Sequence, residues 1–173
     1  MGRFLLGWAS MMAASIAWCC PTVSTPGANA VKSLYLDKEI VQYVCNEEPC
    51  DINAFTERLS IEKVRLARSA RAEDGLQIEP SVKGTQYFSY IYLLDPKACE
   101  YLEVFAADTS FSGAQVLKEV RHGYHIIRAH ERQSIEHFST ADFSFDPVKR
   151  SYVQTSERCF DGSEDIVKTV KCH

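Results

Sequence analysis

The sequence predicts an α+β protein in which N-terminal helices pack on an antiparallel meander sheet of about five or more strands. Apolar residues follow a helical spacing early in the chain, whereas aromatic and β-branched residues dominate from Tyr87 onward. Two pairs, Asp95-Pro96 and Asp146-Pro147, divide this later part into segments of strand length. Helices followed by hairpins are typical of an α+β domain.

Residues 33–44 carry the first helical pattern. Four apolar residues recur there at the spacing of one helical face: Leu36, Ile40, Tyr43 and Val44. The loop of residues 45–50 then interrupts the pattern. Asp51 is a suitable N-cap, so we expect a second, short helix that reaches about as far as Ser60.

The segment of residues 61–72 fits a helix and a strand equally well, and the sequence leaves both open. Residues 73–75, Glu-Asp-Gly, are a turn signal. Residues 76–78 alternate as a short strand does, and Pro80 restricts that strand to an edge or an end of a sheet.

The first hairpin is predicted around Asp95-Pro96. Residues 87–94 are apolar or aromatic on both faces, which predicts a central strand, and residues 99–105 return antiparallel to it after a type I turn. We expect a loop at residues 109–113 and a further strand at residues 123–131.

The second hairpin is predicted around Asp146-Pro147, between residues 138–145 and residues 151–154. In both hairpins the Asp-Pro pair is followed, at the same distance, by a Tyr and an aliphatic residue. A duplicated unit would explain this likeness. We favour the simpler explanation that Asp and Pro are what this turn requires.

Residues 1–30 have the pattern of a secretory signal peptide. Arg3 supplies the positive charge, residues 4–17 are mostly apolar, and Ala28-Asn29-Ala30 is an A-x-A cleavage motif. We expect cleavage near Val31 and a secreted or periplasmic protein.

Residues 31–173 would then form one globular domain. Two alternatives are an uncleaved membrane anchor and a lipoprotein. The apolar run is shorter than the roughly 20 residues of a spanning helix, and Trp18 is large for the position before a lipidated Cys19. We expect no membrane span after cleavage.

The net charge of −4 makes the chain mildly acidic. Proteins that bind nucleic acid or anionic lipid carry basic patches, so the charge argues against a nucleic-acid partner. A protein partner with a basic surface fits this charge better.

Export would place the cysteines in an oxidising compartment, where they form disulfides rather than metal sites. Five of the seven cysteines follow residue 30. We expect the bonds Cys45–Cys50 and Cys159–Cys172. Because five is odd, one cysteine is left free or pairs between chains, and we expect Cys99 to be a buried small hydrophobe on a strand.

The predicted Cys45–Cys50 bridge would shape a short loop that carries Glu47 and Glu48. A loop fixed in advance loses less entropy on binding, so we expect both glutamates to contact a basic or enzyme-cleft surface of a partner. The C-x4-C spacing resembles the loop of periplasmic inhibitors of vertebrate lysozyme. That resemblance covers the two cysteines alone, and a purely structural bridge is the alternative.

Phe88, Tyr90 and Tyr92 share one face of the predicted central strand. Exposed, Tyr90 and Tyr92 would be binding residues of the type that dominates protein interfaces. Buried, they belong to the core.

All the histidines lie late in the chain: His122, His125, His130, His137 and His173. They lack the H-x-H and H-E-x-x-H spacings of metal sites, and His125 and His130 fall on opposite faces of one strand. We expect no metal and no cofactor. A metal-binding envelope protein remains an alternative.

The sequence contains no G-x-S-x-G elbow, P-loop or G-x-G-x-x-G motif, so we assign no catalytic residue. We expect an exported, non-enzymatic binding protein, such as a periplasmic inhibitor or an immunity protein that neutralises an enzyme or toxin. The alternative is a small secreted hydrolase or toxin in which His125 or His130 acts as the base.

Overall fold

The computed structural model describes residues 27–70, 74–84, 87–110, 113–132, 134, 137–163 and 166–172. Three short helices come first: α1 (Ala28–Tyr35), α2 (Lys38–Val44) and α3 (Ile52–Glu57). Nine strands follow: β1 (Leu59–Val64), β2 (Gly75–Pro80), β3 (Tyr87–Asp95), β4 (Glu100–Thr109), β5 (Ala114–Arg121), β6 (Tyr124–Arg132), β7 (His137–Asp146), β8 (Ser151–Ser163) and β9 (Ile166–Val170).

The strands form two antiparallel sheets rather than the single meander that we expected. Sheet A has the order β1-β2-β3-β4 and sheet B the order β5-β6-β7-β8-β9, so within each sheet every strand pairs with its neighbours in sequence. Strands β4 and β5 do not pair with each other, because the chain that leaves β4 forms its next hydrogen bond with β6. The Ser110 amide donates to the His130 carbonyl of β6 at 2.7 Å.

Sheet A is the middle of three layers. The helices cover one of its faces, where the buried residues include Ile40, Phe55, Leu76 and Tyr92. Sheet B packs on the other face, where they include Leu66, Ile91, Phe105 and Ile127. Strand β3 lies between β2 and β4 and sends Tyr92 to the helices and Ile91 to sheet B, so the predicted central strand is confirmed.

The single helix predicted over residues 33–44 is two helices. Asp37 separates them, because its carboxylate accepts hydrogen bonds from the Glu39 and Ile40 amides at 3.0 and 3.4 Å and thereby starts α2. Leu36, which the pattern assigned to the apolar face, is 74% exposed at the break.

Asp51 is the N-cap of α3, as predicted, and accepts from the Asn53 and Ala54 amides, each at 2.9 Å. The helix ends at Glu57 rather than near Ser60, because β1 begins at Leu59 and pairs with Pro80 of β2. Residues 59–64 are therefore strand, which settles part of the ambiguous segment.

The sequence did not predict β5 or β9, and it predicted too short a β8. Strand β5 has no clean alternation, and its register with β6 shifts between Val116 and Val120. Strand β9 is five residues long and pairs only along the far end of β8. Such strands are specified by their partners more than by their own pattern.

Both predicted turns are present, but Cys99 does not lie on a strand. It ends the turn between β3 and β4 with a φ of 58°, where it is partly buried, and it takes part in a disulfide. Arg150 ends the second turn in the same way with a φ of 55°. The turn geometry requires a left-handed residue there. Our expectations of a buried strand position and of an unbonded thiol at Cys99 were both wrong.

In the described part of the chain no helix has the length and apolar character needed to cross a membrane.

Candidate functional site

A cleft of about 730 Å³ opens beside the loop of residues 45–50. We call it the loop cleft. Its walls come from the end of α2, the loop itself, the end of α3 and the segment that follows β2, with Tyr43, Asn46, Glu47, Arg58 and Val82 among its lining residues.

A disulfide holds the base of this loop. Cys45 and Cys50 are bonded, with their Cα atoms 6.1 Å apart, so this predicted pair is confirmed. Cys45 is fully buried in the core under the helices, and the Tyr35 hydroxyl donates to the Cys50 carbonyl at 2.9 Å. The two ends of the loop are therefore fixed to the core.

The loop adopts an unusual backbone between its cysteines. Asn46 and Glu47 are consecutive left-handed residues, with φ values of 56° and 63°. Asn tolerates this conformation, whereas a residue such as Glu pays roughly 1–2 kcal/mol for it. The Glu47 amide donates to the Gln42 carbonyl at 2.8 Å, which helps to hold the turn. A strained conformation of this kind persists only where its surroundings enforce it.

Glu47 and Glu48 are both exposed. Glu47 lines the loop cleft together with Glu57, and Glu48 follows it along the loop. The cation of this cleft, Arg58, donates to the Val44 carbonyl at 3.4 Å. The structure thus presents the two glutamates on a surface, and their contact with a partner stays a prediction.

Exposed apolar side chains border the same cleft. Tyr43 is 44% exposed and Val82 is 86% exposed. Aromatic and aliphatic groups beside charged ones are typical of surfaces that bind proteins. Sequence reasoning missed Arg58 and Val82, because the cleft joins segments that are separate in the chain. Val82, an aliphatic residue in a polar turn, was the available signal.

An aromatic row leads from the loop cleft across sheet A. The Tyr43 ring lies 5.8 Å from that of Phe88, and Phe88 lies 5.5 Å from Tyr90. The row continues to Tyr92 at 6.5 Å. Tyr90 is only partly buried.

Tyr92, which we singled out with Tyr90 as a binding residue, lies in the core and is 2% exposed. Its hydroxyl is 3.3 Å from the Ser33 hydroxyl of α1, and burial raises its pKa to about 12. The packing of α1 makes this end of the row structural, and Tyr90 is its surface-facing member.

A buried carboxylate anchors the wall of the loop cleft that follows β2. Glu79 accepts hydrogen bonds from Gln77 and Ser89, each at 2.8 Å, and an ion pair from Lys83 at 2.6 Å. The hydrogen bond to Glu79 raises the pKa of Lys83, so the lysine keeps its positive charge at neutral pH. This network ties the segment around Lys83 to the interior of sheet A.

The histidines within the described residues are engaged one by one and do not converge. The His125 ring is 2.8 Å from the Leu117 carbonyl, and the His137 ring is 2.5 Å from Asp161. His130 lies 3.4 Å from the Thr140 hydroxyl, and burial lowers its pKa. His122 is in a turn. The remaining histidine, His173, lies outside the described residues.

Among the described residues, one group brings three candidate metal ligands within 4.8 Å of one another: Glu157, Cys159 and Cys172. The two cysteines are joined in a disulfide, with Cα atoms 5.2 Å apart, which confirms the second predicted pair. Their sulfurs are committed to each other, so this group is a covalent link between β8 and the segment after β9.

Comparison of the chain with protein-family models, curated proteins and solved structures finds no match.

Proposed function

We propose that this protein is an exported, non-enzymatic binding protein that holds a basic segment of a protein partner at the loop cleft. The observation that carries the proposal is the Cys45–Cys50 bridge, which fixes two consecutive left-handed residues beside an open cleft. A conformation set before binding reduces the entropy lost on association.

The charge of the loop supports a basic partner. Glu47 and Glu48 are exposed on the loop, and Glu57 lines the cleft with Glu47. Complementary charge speeds association and disfavours wrong partners. Tyr43 and Val82 supply exposed apolar surface that becomes buried on binding.

Export is part of the proposal. Residues 1–30 have the pattern of a leader, and two disulfides join pairs of cysteines in the folded chain. Bonds of this kind persist in the periplasm or outside the cell. In those places a small acidic protein with a rigid loop suits the work of an inhibitor or an immunity protein, which binds a basic surface of an enzyme or toxin.

The proposal can be tested by capturing partners from an envelope extract on the immobilised protein. Glu47→Lys combined with Glu48→Lys should lose the partner, because it reverses the charge of the loop. Glu119→Lys combined with Glu157→Lys is the matched control, since both glutamates are exposed and lie on sheet B. It should retain the partner.

Equal capture by both variants would contradict the proposed site. Absence of any partner, together with turnover of a wall or lipid substrate by the purified protein, would contradict the proposed function. Loss of that turnover in His125→Ala or His130→Ala would instead support the secreted hydrolase that we treat as the alternative.

A further inference from the structure

The helices leave part of sheet A uncovered along its edge strand β4. Three residues of β4 face the helix side of the sheet and are exposed: Glu103, Ala106 and Asp108. In the register they lie opposite Tyr92, Tyr90 and Phe88 of β3, respectively. Residues directly opposite in an antiparallel pair share a face. We call this surface, with Tyr90 at its centre, the Tyr90 face.

The Tyr90 face carries negative charge. Burial raises the pKa of Tyr90, and the carboxylates of Glu103, Asp37 and Asp108 raise it further. The loss of part of its hydration beside the sheet raises the pKa of Glu103. The charged groups that raise the pKa of Tyr90 are all acidic. Glu103 also lines a small cavity with Lys149 and Arg150 of the turn between β7 and β8.

The spacing of the carboxylates decides what can bind. Glu103 and Asp108 lie opposite Tyr92 and Phe88, which are four residues apart on β3, so the bulge in β4 leaves the two carboxylates on one face roughly 13 Å apart. One metal ion cannot contact both. An extended polypeptide with two cationic side chains about four residues apart can reach both ends, because side chains four residues apart share a face about 13 Å apart.

We propose that the Tyr90 face docks an extended basic segment of a protein partner, with one Lys or Arg side chain lying on the Tyr90 ring. This inference rests on the proposed function, since it gives the same partner a second contact. Cations bind the faces of aromatic rings, and the aliphatic stem of Lys or Arg covers small apolar residues such as Ala106.

The aromatic row makes the two surfaces continuous. Tyr43 lines the loop cleft, and its ring contacts Phe88, whose ring contacts Tyr90. A segment that leaves the loop cleft along this row therefore reaches the carboxylates of β4. Charge complementarity favours a basic peptide over an acidic or apolar one.

The test is an NMR titration of the full protein with a synthetic peptide that has two lysines four residues apart. Amide shifts should concentrate at Tyr90, Glu103, Ala106 and Asp108. Glu103→Gln combined with Asp108→Asn should abolish them. Tyr90→Leu should weaken binding about two- to fivefold, the equivalent of a surface cation–π contact. Glu119→Gln on sheet B should change nothing.

Three outcomes would overturn the inference: shifts confined to the loop cleft, equal binding by the Glu103→Gln, Asp108→Asn variant, or the same shifts with Ca²⁺ alone. The two exposed carboxylate changes keep the test valid even where Tyr90→Leu perturbs the fold. Failure of the proposed function is seen separately. If the peptide binds at the Tyr90 face but Glu47→Lys and Glu48→Lys do not affect partner capture, the loop cleft is not the binding site. The proposal for the Tyr90 face would then still stand.

Discussion

At the scale of single residues, two carboxylates organise matching turns. Asp95 accepts from the Lys97 amide at 2.9 Å, and Asp146 accepts from the Val148 amide at 2.8 Å. Both aspartates precede Pro in the sequence, so these turns were predictable. The left-handed residue that closes each turn was not, because Cys99 and Arg150 are both unusual choices for a positive φ.

The ion pair of Lys83 with Glu79 gives a first prediction. Lys83→Met leaves a carboxylate that is 8% exposed without its cation, so we expect a loss of about 1–3 kcal/mol in the free energy of unfolding. Urea denaturation measures this loss. Glu79→Gln together with Lys83→Met should recover part of it, and Lys97→Met, at an exposed turn position, should cost little. A double variant no better than Lys83→Met would argue against the pair.

Asp142 gives a second prediction, which concerns pH. The Arg128 guanidinium binds both of its oxygens, at 2.6 and 2.9 Å, and holds its pKa below the ordinary value of 3.8. A lowered carboxylate pKa stabilises the fold above 3.8, and this contribution disappears as the pH falls through the lower folded value.

Asp142→Asn should therefore lower the free energy of unfolding by about 1–3 kcal/mol at pH 7. The difference from the parent should shrink as the pH falls below 3.8. Denaturation curves across this range provide the measurement. A difference that stays constant with pH would mean that the ion pair does not supply the stability.

At the scale of elements, capping residues determine where the helices begin, which the apolar pattern alone does not show. Asp37 divides one periodic segment into α1 and α2, and Asp51 starts α3 as the sequence indicated. The strand β5 escaped prediction because its apolar residues follow no strict alternation, and its register breaks beside the His125 ring. The start of α3 and the two Asp-Pro turns were predictable, whereas the break at Asp37 and the strands defined by a partner strand were not.

The disulfides Cys45–Cys50 and Cys159–Cys172 should separate stability from binding. Replacing Cys45 and Cys50 by Ser opens a short loop, and we expect a loss of about 2 kcal/mol together with weaker partner binding. Replacing Cys159 and Cys172 by Ser opens a longer loop, and we expect a loss of about 3 kcal/mol with unchanged binding. Denaturation and partner capture measure the two effects. Unchanged capture in the first variant would show that the bridge serves the fold alone.

The start of α1 bears on where the predicted leader would be cut. Asn29 donates to the Tyr101 carbonyl at 2.7 Å and accepts from the Tyr101 amide at 3.4 Å, and Ala30 is 1% exposed. A chain that begins at Val31 lacks these contacts. We expect it to be less stable by about 1–3 kcal/mol than a chain that begins at Gly27.

Denaturation of the two purified forms tests this fourth prediction, and the mass of the exported protein shows which form exists. Equal stability would mean that the first turn of α1 contributes nothing. Cleavage after Ala30 requires that the peptidase act before α1 has folded, because the motif lies within the helix.

At the scale of the whole molecule, the order of helices and strands could be predicted from the sequence. The arrangement of these elements in three layers could not. Helices first and antiparallel strands afterwards are visible as a change of period. The division into two sheets depends on long-range pairs such as Ser110 with His130, which no local pattern records. Only part of the loop cleft could be predicted from the sequence, for the same reason. Its glutamates stand on a loop between two cysteines, whereas Arg58 and Val82 join them only after folding.

The central position of sheet A also governs how the molecule is assembled. A chain delivered from its amino-terminal end presents residues 27–110 before the strands of sheet B have emerged. The helices can close one face of sheet A at once, but Ile91 and Phe105 on the other face stay in water until β6 and β7 arrive. During that interval the partly folded protein is prone to aggregate with other chains. The yield of native protein is then set by the speed of delivery of its second half, or by a chaperone that shields this face.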